Sequence, residues 1–145
     1  MERRTLPGPD YFDPSIFELE KESVFFSSWI LVGLAQQIPA VGDWFTFNIF
    51  DESVLIARGQ DDVIRAFYNV CQHRGNRLVT AEVGSLGGGE FQCAYHGWRF
   101  ADTGRLNWVY CEEDFPQGSP CGKRNLVEIP CDTRGGFIWI NMDEG

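Results

Sequence analysis

Cys71-Gln72-His73-Arg74-Gly75 and Cys93-Ala94-Tyr95-His96-Gly97-Trp98 are the two stretches on which the reading of this chain turns. Each carries one cysteine and one histidine, and in each a glycine follows the histidine within two residues. They hold the only two histidines of the sequence, so the pairing calls for a common cause. Two thiolates and two imidazoles make a soft-to-borderline donor set. It suits either a tetrahedral zinc ion or a two-iron, two-sulfide cluster in which imidazoles replace the thiolates on one iron. Zinc fingers usually place both cysteines in one knuckle and both histidines in the other. Here each knuckle is mixed, Cys-x-His and then Cys-x-x-His, with 19 residues between His73 and Cys93. Two mixed loops closing on each other can give one iron both sulfurs and the other both nitrogens, so the spacing favours the cluster. A structural zinc site stays open at this point and predicts a colourless protein.

The rest of the composition is that of an ordinary soluble globular chain, 43% hydrophobic and 23% charged, within the usual range. At 145 residues one domain is expected, long enough to bury a core without disulfide staples. The net charge of −9 argues against nucleic acid, because a phosphate backbone demands clustered Lys and Arg. No apolar run approaches the ~18 residues of a membrane span, and Met1-Glu2-Arg3-Arg4-Thr5 leads into no signal-peptide core. A cytoplasmic protein with no membrane partner is the expectation. Five cysteines, two of them claimed by the metal, fit a reducing compartment better than a disulfide framework.

Around the two loops the local signals are mostly β. Residues 1–12 are punctuated by Pro and Gly and read as an arm. Asp13-Pro14 sets a helix start, with Asp13 as N-cap and Pro14 at the first position; Ser15 with Glu18 is the alternative, capping-box start. Ile16, Phe17, Leu19, Val24 and Phe26 give that helix an apolar face to about Ser27, expected to pack on a sheet. Strands are predicted over Trp29–Ala35, Trp44–Phe50, Val54–Arg58, Val63–Val70, Glu90–Ala94, Trp98–Ala101, Arg105–Trp108, Leu126–Ile129 and Phe137–Met142, separated by Gly- and Asp-rich turns. Many short strands at close spacing suggest an antiparallel sandwich or small barrel. Trp44, Thr46 and Asn48 alternating with Phe45, Phe47 and Ile49 read as a half-buried strand. Gly84-Ser85-Leu86-Gly87-Gly88-Gly89 reads as a flexible connection and not a phosphate loop, lacking the GxxxxGKS/T form and a following helix. Residues 110–125 read as an acidic, then Pro/Gly-rich surface excursion. Cys111, Cys121 and Cys131 are evenly spaced but have no histidine near them, and read as ordinary thiols.

The words Tyr68-Asn69-Val70-Cys71-Gln72-His73-Arg74-Gly75 and Tyr95-His96-Gly97-Trp98-Arg99-Phe100 resemble the N-terminal Rieske domain of the α subunits of aromatic-ring-hydroxylating (Rieske non-haem iron) oxygenases. The resemblance covers almost the whole chain. It implies an all-β fold with one N-terminal helix: an antiparallel Rieske-type sandwich or barrel with an inserted cluster-binding lobe at about residues 69–100. Residues 1–28 would be the arm and helix, and residues 29–145 the 2Fe–2S domain. Cys71, His73, Cys93 and His96 would ligate a Rieske 2Fe–2S cluster. Electrons would arrive from a ferredoxin or flavin reductase and pass to a mononuclear Fe(II) in the catalytic domain of the same or a neighbouring α subunit, usually within a trimer. That iron needs a 2-His-1-carboxylate triad, and the cluster takes both histidines. The catalytic domain is therefore expected to be absent from this chain, which alone does not activate oxygen. The family name suggests dioxygenase or monooxygenase chemistry in aromatic hydrocarbon catabolism, although choline- and carnitine-type monooxygenases share the same N-terminal plan. The competing reading is a stand-alone Rieske ferredoxin acting as an electron carrier; the N-terminal helix and the Tyr-His-Gly-Trp word count against it.

The mixed ligand set also bears on potential. Replacing two thiolates by imidazoles removes about two negative charges, which raises the potential above the ~−400 mV of plant-type ferredoxins. High-potential Rieske proteins of the respiratory type add a cysteine to each loop and a serine after the second His-Gly; the matching positions here are Asn76, Tyr95 and Trp98. A potential in the lower part of the Rieske range, under about +100 mV, is expected. Arg74, Arg77 and Arg99 form a basic collar on an acidic protein, placed to steer an acidic redox partner or a neighbouring domain.

Overall fold

The computed structural model describes residues 5–143; the start of the arm, residues 1–4, and the final Glu144-Gly145 lie outside the described residues. Eleven strands follow one short helix: β1 Trp29–Leu34, β2 Asp43–Ile49, β3 Glu52–Arg58, β4 Ile64–Tyr68, β5 Val83–Ser85, β6 Glu90–Gln92, β7 Arg99–Ala101, β8 Leu106–Trp108, β9 Glu128–Ile129, β10 Cys131–Arg134 and β11 Phe137–Asn141. They form a five-stranded sheet, β5-β2-β3-β4-β9, and two three-stranded sheets, β1-β11-β10 and β6-β7-β8. All strand pairs are antiparallel.

The five-stranded sheet has an apolar core on each face. In β3 the run Val54-Leu55-Ile56-Ala57 is completely buried. Side chains in a strand alternate between faces, so Leu55 and Ala57 enter one core while Val54 and Ile56 enter the other. The same division separates Trp44 from Phe45 and Phe67 from Ala66. The first core joins this sheet to β6-β7-β8 and the two Cys/His loops; the second joins it to β1-β11-β10 through Ile138 and Ile140. β2 is covered on both faces at Trp44 and Phe45, whereas Thr46 is only partly buried and Asn48 is exposed, so the half-buried reading holds for the later part of the strand. Asp102, buried, accepts the Gln60 backbone N–H at 2.6 Å and ties the β7–β8 turn to the β3–β4 turn.

Two strands, β5 and β10, lie outside the predicted set. β5 runs through Gly84, expected to be flexible, and pairs with Asp43 to Phe45 of β2. The glycine is needed for space, because a Cβ there would lie 2.3 Å from Cζ2 of Trp44. Gly84→Ala is expected to lower stability by about 1–3 kcal/mol through overpacking, read from urea unfolding; an unchanged midpoint would show that Trp44 yields freely. β10 begins at Cys131, and its other three residues are exposed, so it lacks the alternation that identifies a strand.

Asp13 caps the helix as expected, accepting the Ser15 backbone N–H at 2.8 Å. The Ser15/Glu18 capping box does not form, and Glu18 pairs with Lys21 at 3.1 Å. The helix, Pro14–Glu20, is shorter than its apolar pattern and passes into a π-helical turn, Lys21–Phe25. The extra residue in that turn rotates the apolar face. Consequently neither segment buries a residue, and Leu19 and Val24 stay exposed. The segment meets the body through an aromatic cluster, in which Phe17, Phe25 and Phe26 meet Phe50 edge-on at 5.2–5.6 Å, with the Lys21 ammonium 5.3 Å from the same ring. No helix among the described residues is long and apolar enough to cross a membrane.

Candidate metal centre

The two Cys/His loops are the tips of hairpins built on one plan. β4 leads through Asn69 into the first, closed by the bridge Val70↔Arg77; β6 leads into the second, closed by Gln92↔Arg99. In both tips the Cys backbone N–H donates five residues ahead, Cys71 to Asn76 O at 2.8 Å and Cys93 to Trp98 O at 2.9 Å. In both, the glycine four residues on returns a bond to the cysteine carbonyl, Gly75 to Cys71 O at 3.0 Å and Gly97 to Cys93 O at 2.9 Å. Gly75 and Gly97 adopt φ +70° and +71°, the left-handed region that only glycine enters without strain. The histidines occupy different steps of this shared turn, third in the first tip and fourth in the second.

The tips face each other. Cys71 and Cys93 are 1% and 2% exposed and belong to the same core as Trp44 and Phe67. The rings of His73 and His96 stand 4.7 Å apart, nearly edge to face. Trp98, also buried, stacks on His73 at 4.6 Å with planes 10° apart, and is itself flanked by Phe100 and Phe115. The donors are thus grouped two and two, thiol by thiol and ring by ring. Among the described residues no three His, Cys, Asp or Glu side chains converge on a single point.

The electrostatics agree with a site made for a metal. Burial above all pushes the Cys71 thiol up; the His73 backbone N–H opposes this and the adjacent Cys93 thiol adds to it. Burial, then His96 and the guanidinium groups of Arg74 and Arg124, push His73 down toward its neutral, ligating form. His73 Nδ1 is buried without a hydrogen-bond partner, and a buried polar atom left unpaired costs about 1–3 kcal/mol. A metal at that atom, with release of the thiol protons, resolves both features.

Three further residues support the site. Asn69, 1% exposed, donates from Nδ2 to Val79 O at 2.9 Å and accepts the Val79 N–H at 3.0 Å, clamping the two sides of the first hairpin. Its signals in the sequence are its place at a predicted strand end and within the word Tyr68-Asn69-Val70-Cys71-Gln72-His73-Arg74-Gly75. Phe115 and Arg124 come from the 110–125 segment, which is not a surface excursion throughout. It folds under the second tip, with Phe115 on Trp98 and the Gly122 N–H bonded to Leu106 O at 2.9 Å. Cys111, Cys121 and Cys131 remain free thiols, and burial pushes Cys131 up to about 11.

Comparison with known proteins gives this arrangement a lineage. The chain is 35% identical over 138 residues to the glycine betaine monooxygenase oxygenase subunit of Chromohalobacter salexigens, covering 95% of this chain and 30% of that protein. It is 39% identical over 140 residues to the carnitine monooxygenase oxygenase subunit of Escherichia coli K12, covering 96% of this chain and 36% of that one. Among solved structures, the quaternary ammonium Rieske monooxygenase CntA with L-carnitine superposes with a TM-score of 0.90 at 34% identity, over 97% of this chain and 39% of that one. A mutant of naphthalene 1,2-dioxygenase bound to phenanthrene superposes with a TM-score of 0.83 at 34% identity, over 92% of this chain and 30% of that one. The chain spans about a third of the length of the curated relatives it matches. The Rieske [2Fe-2S] domain family matches residues 28–120, from the threshold of β1 past both hairpin tips. That agreement, on a site already seen to pair two thiols and two imidazoles, decides between iron and zinc: this chain belongs to the Rieske [2Fe-2S] domain family, and its cofactor is a 2Fe–2S cluster.

Proposed function

We propose that Cys71 and Cys93 hold one iron of the cluster and His73 and His96 the other, and that the chain is the electron-transfer part of a Rieske oxygenase α subunit. The observation that carries this reading is the pair of matched tips, with two buried thiols side by side and a histidine Nδ1 buried and unpartnered. When bound, the cluster supplies a one-electron couple. The residues of the chain do the rest. The hairpin turns hold the thiols out of water, Trp98 fixes the plane of His73, and the half-buried imidazoles form the way in and out for the electron. Residues 29–145 act as one 2Fe–2S unit, and the electron passes to a mononuclear iron in the remaining two thirds of a longer protein. That iron sits in the same or a neighbouring subunit of a trimer, in keeping with the inter-subunit electron transfer of a similar quaternary ammonium Rieske monooxygenase. The relatives' names favour a quaternary ammonium substrate for the whole protein over an aromatic hydrocarbon. Five cysteines, two of them taken by the cluster and none joined in a disulfide, favour a cytoplasmic setting.

Anaerobic purification, iron and sulfide analysis and an EPR spectrum after dithionite test the assignment. About two irons and two acid-labile sulfides per chain are expected; a folded protein free of both would overturn it.

The donor is a ferredoxin or flavin reductase with an acidic face. Arg74, Arg77, Arg99, Lys123 and Arg124 lie on or beside the two tips, and among the described residues none of them enters an ion pair. Arg99 is exposed and lies 4.8 Å over the Trp108 ring. Charge reversal at Arg74 or Arg124 is expected to slow reduction by the donor several-fold at low salt and far less at high salt. Equal slowing at both would remove electrostatic steering from the account.

A further inference from the structure

The shared hairpin plan makes Asn76 and Trp98 equivalent: each is the sixth residue of its tip, and each bonds its carbonyl to the cysteine that opens the turn. Each also sends its side chain across to the other tip. Trp98 reaches back to the His73 ring, and Asn76 reaches forward to Cys93, its Nδ2 lying 3.8 Å from Sγ. The same nitrogen donates to Arg77 O at 2.8 Å. A carbonyl oxygen at that distance requires a donor, so the amide's N–H end, not its oxygen, faces the sulfur.

We infer that Asn76 is a positioning residue that sets the reduction potential of this centre through Cys93. The inference rests on the assignment of Cys93 as a ligand. Added negative charge on a ligand sulfur is stabilised by each N–H aimed at it, and such donors are a principal control of potential in iron–sulfur centres. The two sulfurs are served differently. Cys71 takes its donors from the backbone N–H groups of His73 and Arg74, which no side-chain substitution removes. Cys93 is reached by a side chain, so among the described residues Asn76 is where a substitution can change the donor set without altering a ligand. Its main-chain carbonyl meanwhile anchors the Cys71 turn, so one residue touches both halves of the thiol pair.

The test is an EPR- or CD-monitored redox titration of the full chain carrying Asn76→Leu, Asn76→Asp or Asn76→Gln, with iron and sulfide content measured alongside. Asn76→Leu is expected to lower the equilibrium constant for one-electron reduction by roughly threefold to tenfold, a fall of ~30–60 mV at 59 mV per decade. Asn76→Asp, equal in size but without the N–H, should fall at least as far, and Asn76→Gln should recover much of the loss. A fully loaded Asn76→Leu protein with an unchanged potential overturns the inference. If that variant does not hold the cluster, the Gln and Asp variants decide: a threefold or larger separation supports the role, and coincident potentials reject it. An unaltered spectrum in Cys93→Ser would instead mean that Cys93 is not a ligand, which strikes the ligand assignment itself.

Discussion

Cys71→Ser or Cys93→Ser is expected to leave anaerobic purification colourless, with almost no iron or acid-labile sulfide, while Cys111→Ser and Cys121→Ser keep the full complement. The contrast is chemical before it is structural. A serine hydroxyl neither ionises near neutral pH nor offers the soft donor that an iron–sulfur unit selects. The two control thiols are equally cysteine but lie off the paired tips. The fold predicts what survives. Cys71 and Cys93 belong to the core between the five-stranded sheet and β6-β7-β8, whereas the core under β1-β11-β10 contains neither. Far-UV circular dichroism should therefore stay close to that of the parent, while near-UV signals from Trp98 and its neighbours collapse. Metal binding energy is also folding energy for the part that carries the ligands, so the lobe should become sensitive to proteolysis near residues 71–98 first. A colourless variant that melts as one unit, at a much lower temperature, would show that the two cores are not separable in this way. A Cys→Ser protein that keeps its colour would remove that residue from the ligand set.

The four candidate donors stand out in the sequence because their signal is local: two Cys and two His at fixed spacing, each pair near a turn glycine, are readable without knowing the fold. Most strands were legible because Val, Ile, Phe and Trp cluster between Gly- and Asp-rich turns. Strand existence was easier to read than strand surroundings. Val54-Leu55-Ile56-Ala57 shows no alternation, because both faces of β3 are covered, and the sequence does not say by what. The Gly84 strand was hidden for the opposite reason. A glycine reads as flexibility when nothing nearby in sequence explains it, and its explanation, the Trp44 ring, is 40 residues away. The helical stretch runs to Phe25, close to the Ser27 read from the apolar pattern, but that pattern does not reveal that its last turn is π-helical. Least legible were the cross-tip contacts. Asn76 and Trp98 do their work on residues of the other hairpin, and only the superposition of the two turns shows that they are counterparts.

Trp98→Ala is expected to be the most damaging substitution at a position that donates no ligand atom. Its side chain is 2% exposed and sits among Phe100, Phe115 and the His73 ring. Removing a large aromatic from such a site costs about 3–5 kcal/mol, the lost burial plus the cavity left behind. That is a large share of the 5–15 kcal/mol typical of a whole domain. The loss falls on the metal site in particular. The indole stacks on His73 at 4.6 Å with the two planes 10° apart; without it the imidazole can turn, and water can reach the buried Nδ1. Two measurements separate the packing role from the orienting one. Trp98→Phe keeps an aromatic face and should recover more than half of the lost stability in urea unfolding, with EPR g-values close to the parent's. Trp98→Leu fills much of the volume but cannot stack, so it should recover stability without the spectrum, its signal broadened as His73 samples more than one orientation. If Trp98→Leu and Trp98→Phe gave the same spectrum as the parent, the stacked geometry would be packing alone, and the imidazole would be held by the metal and not by its neighbour.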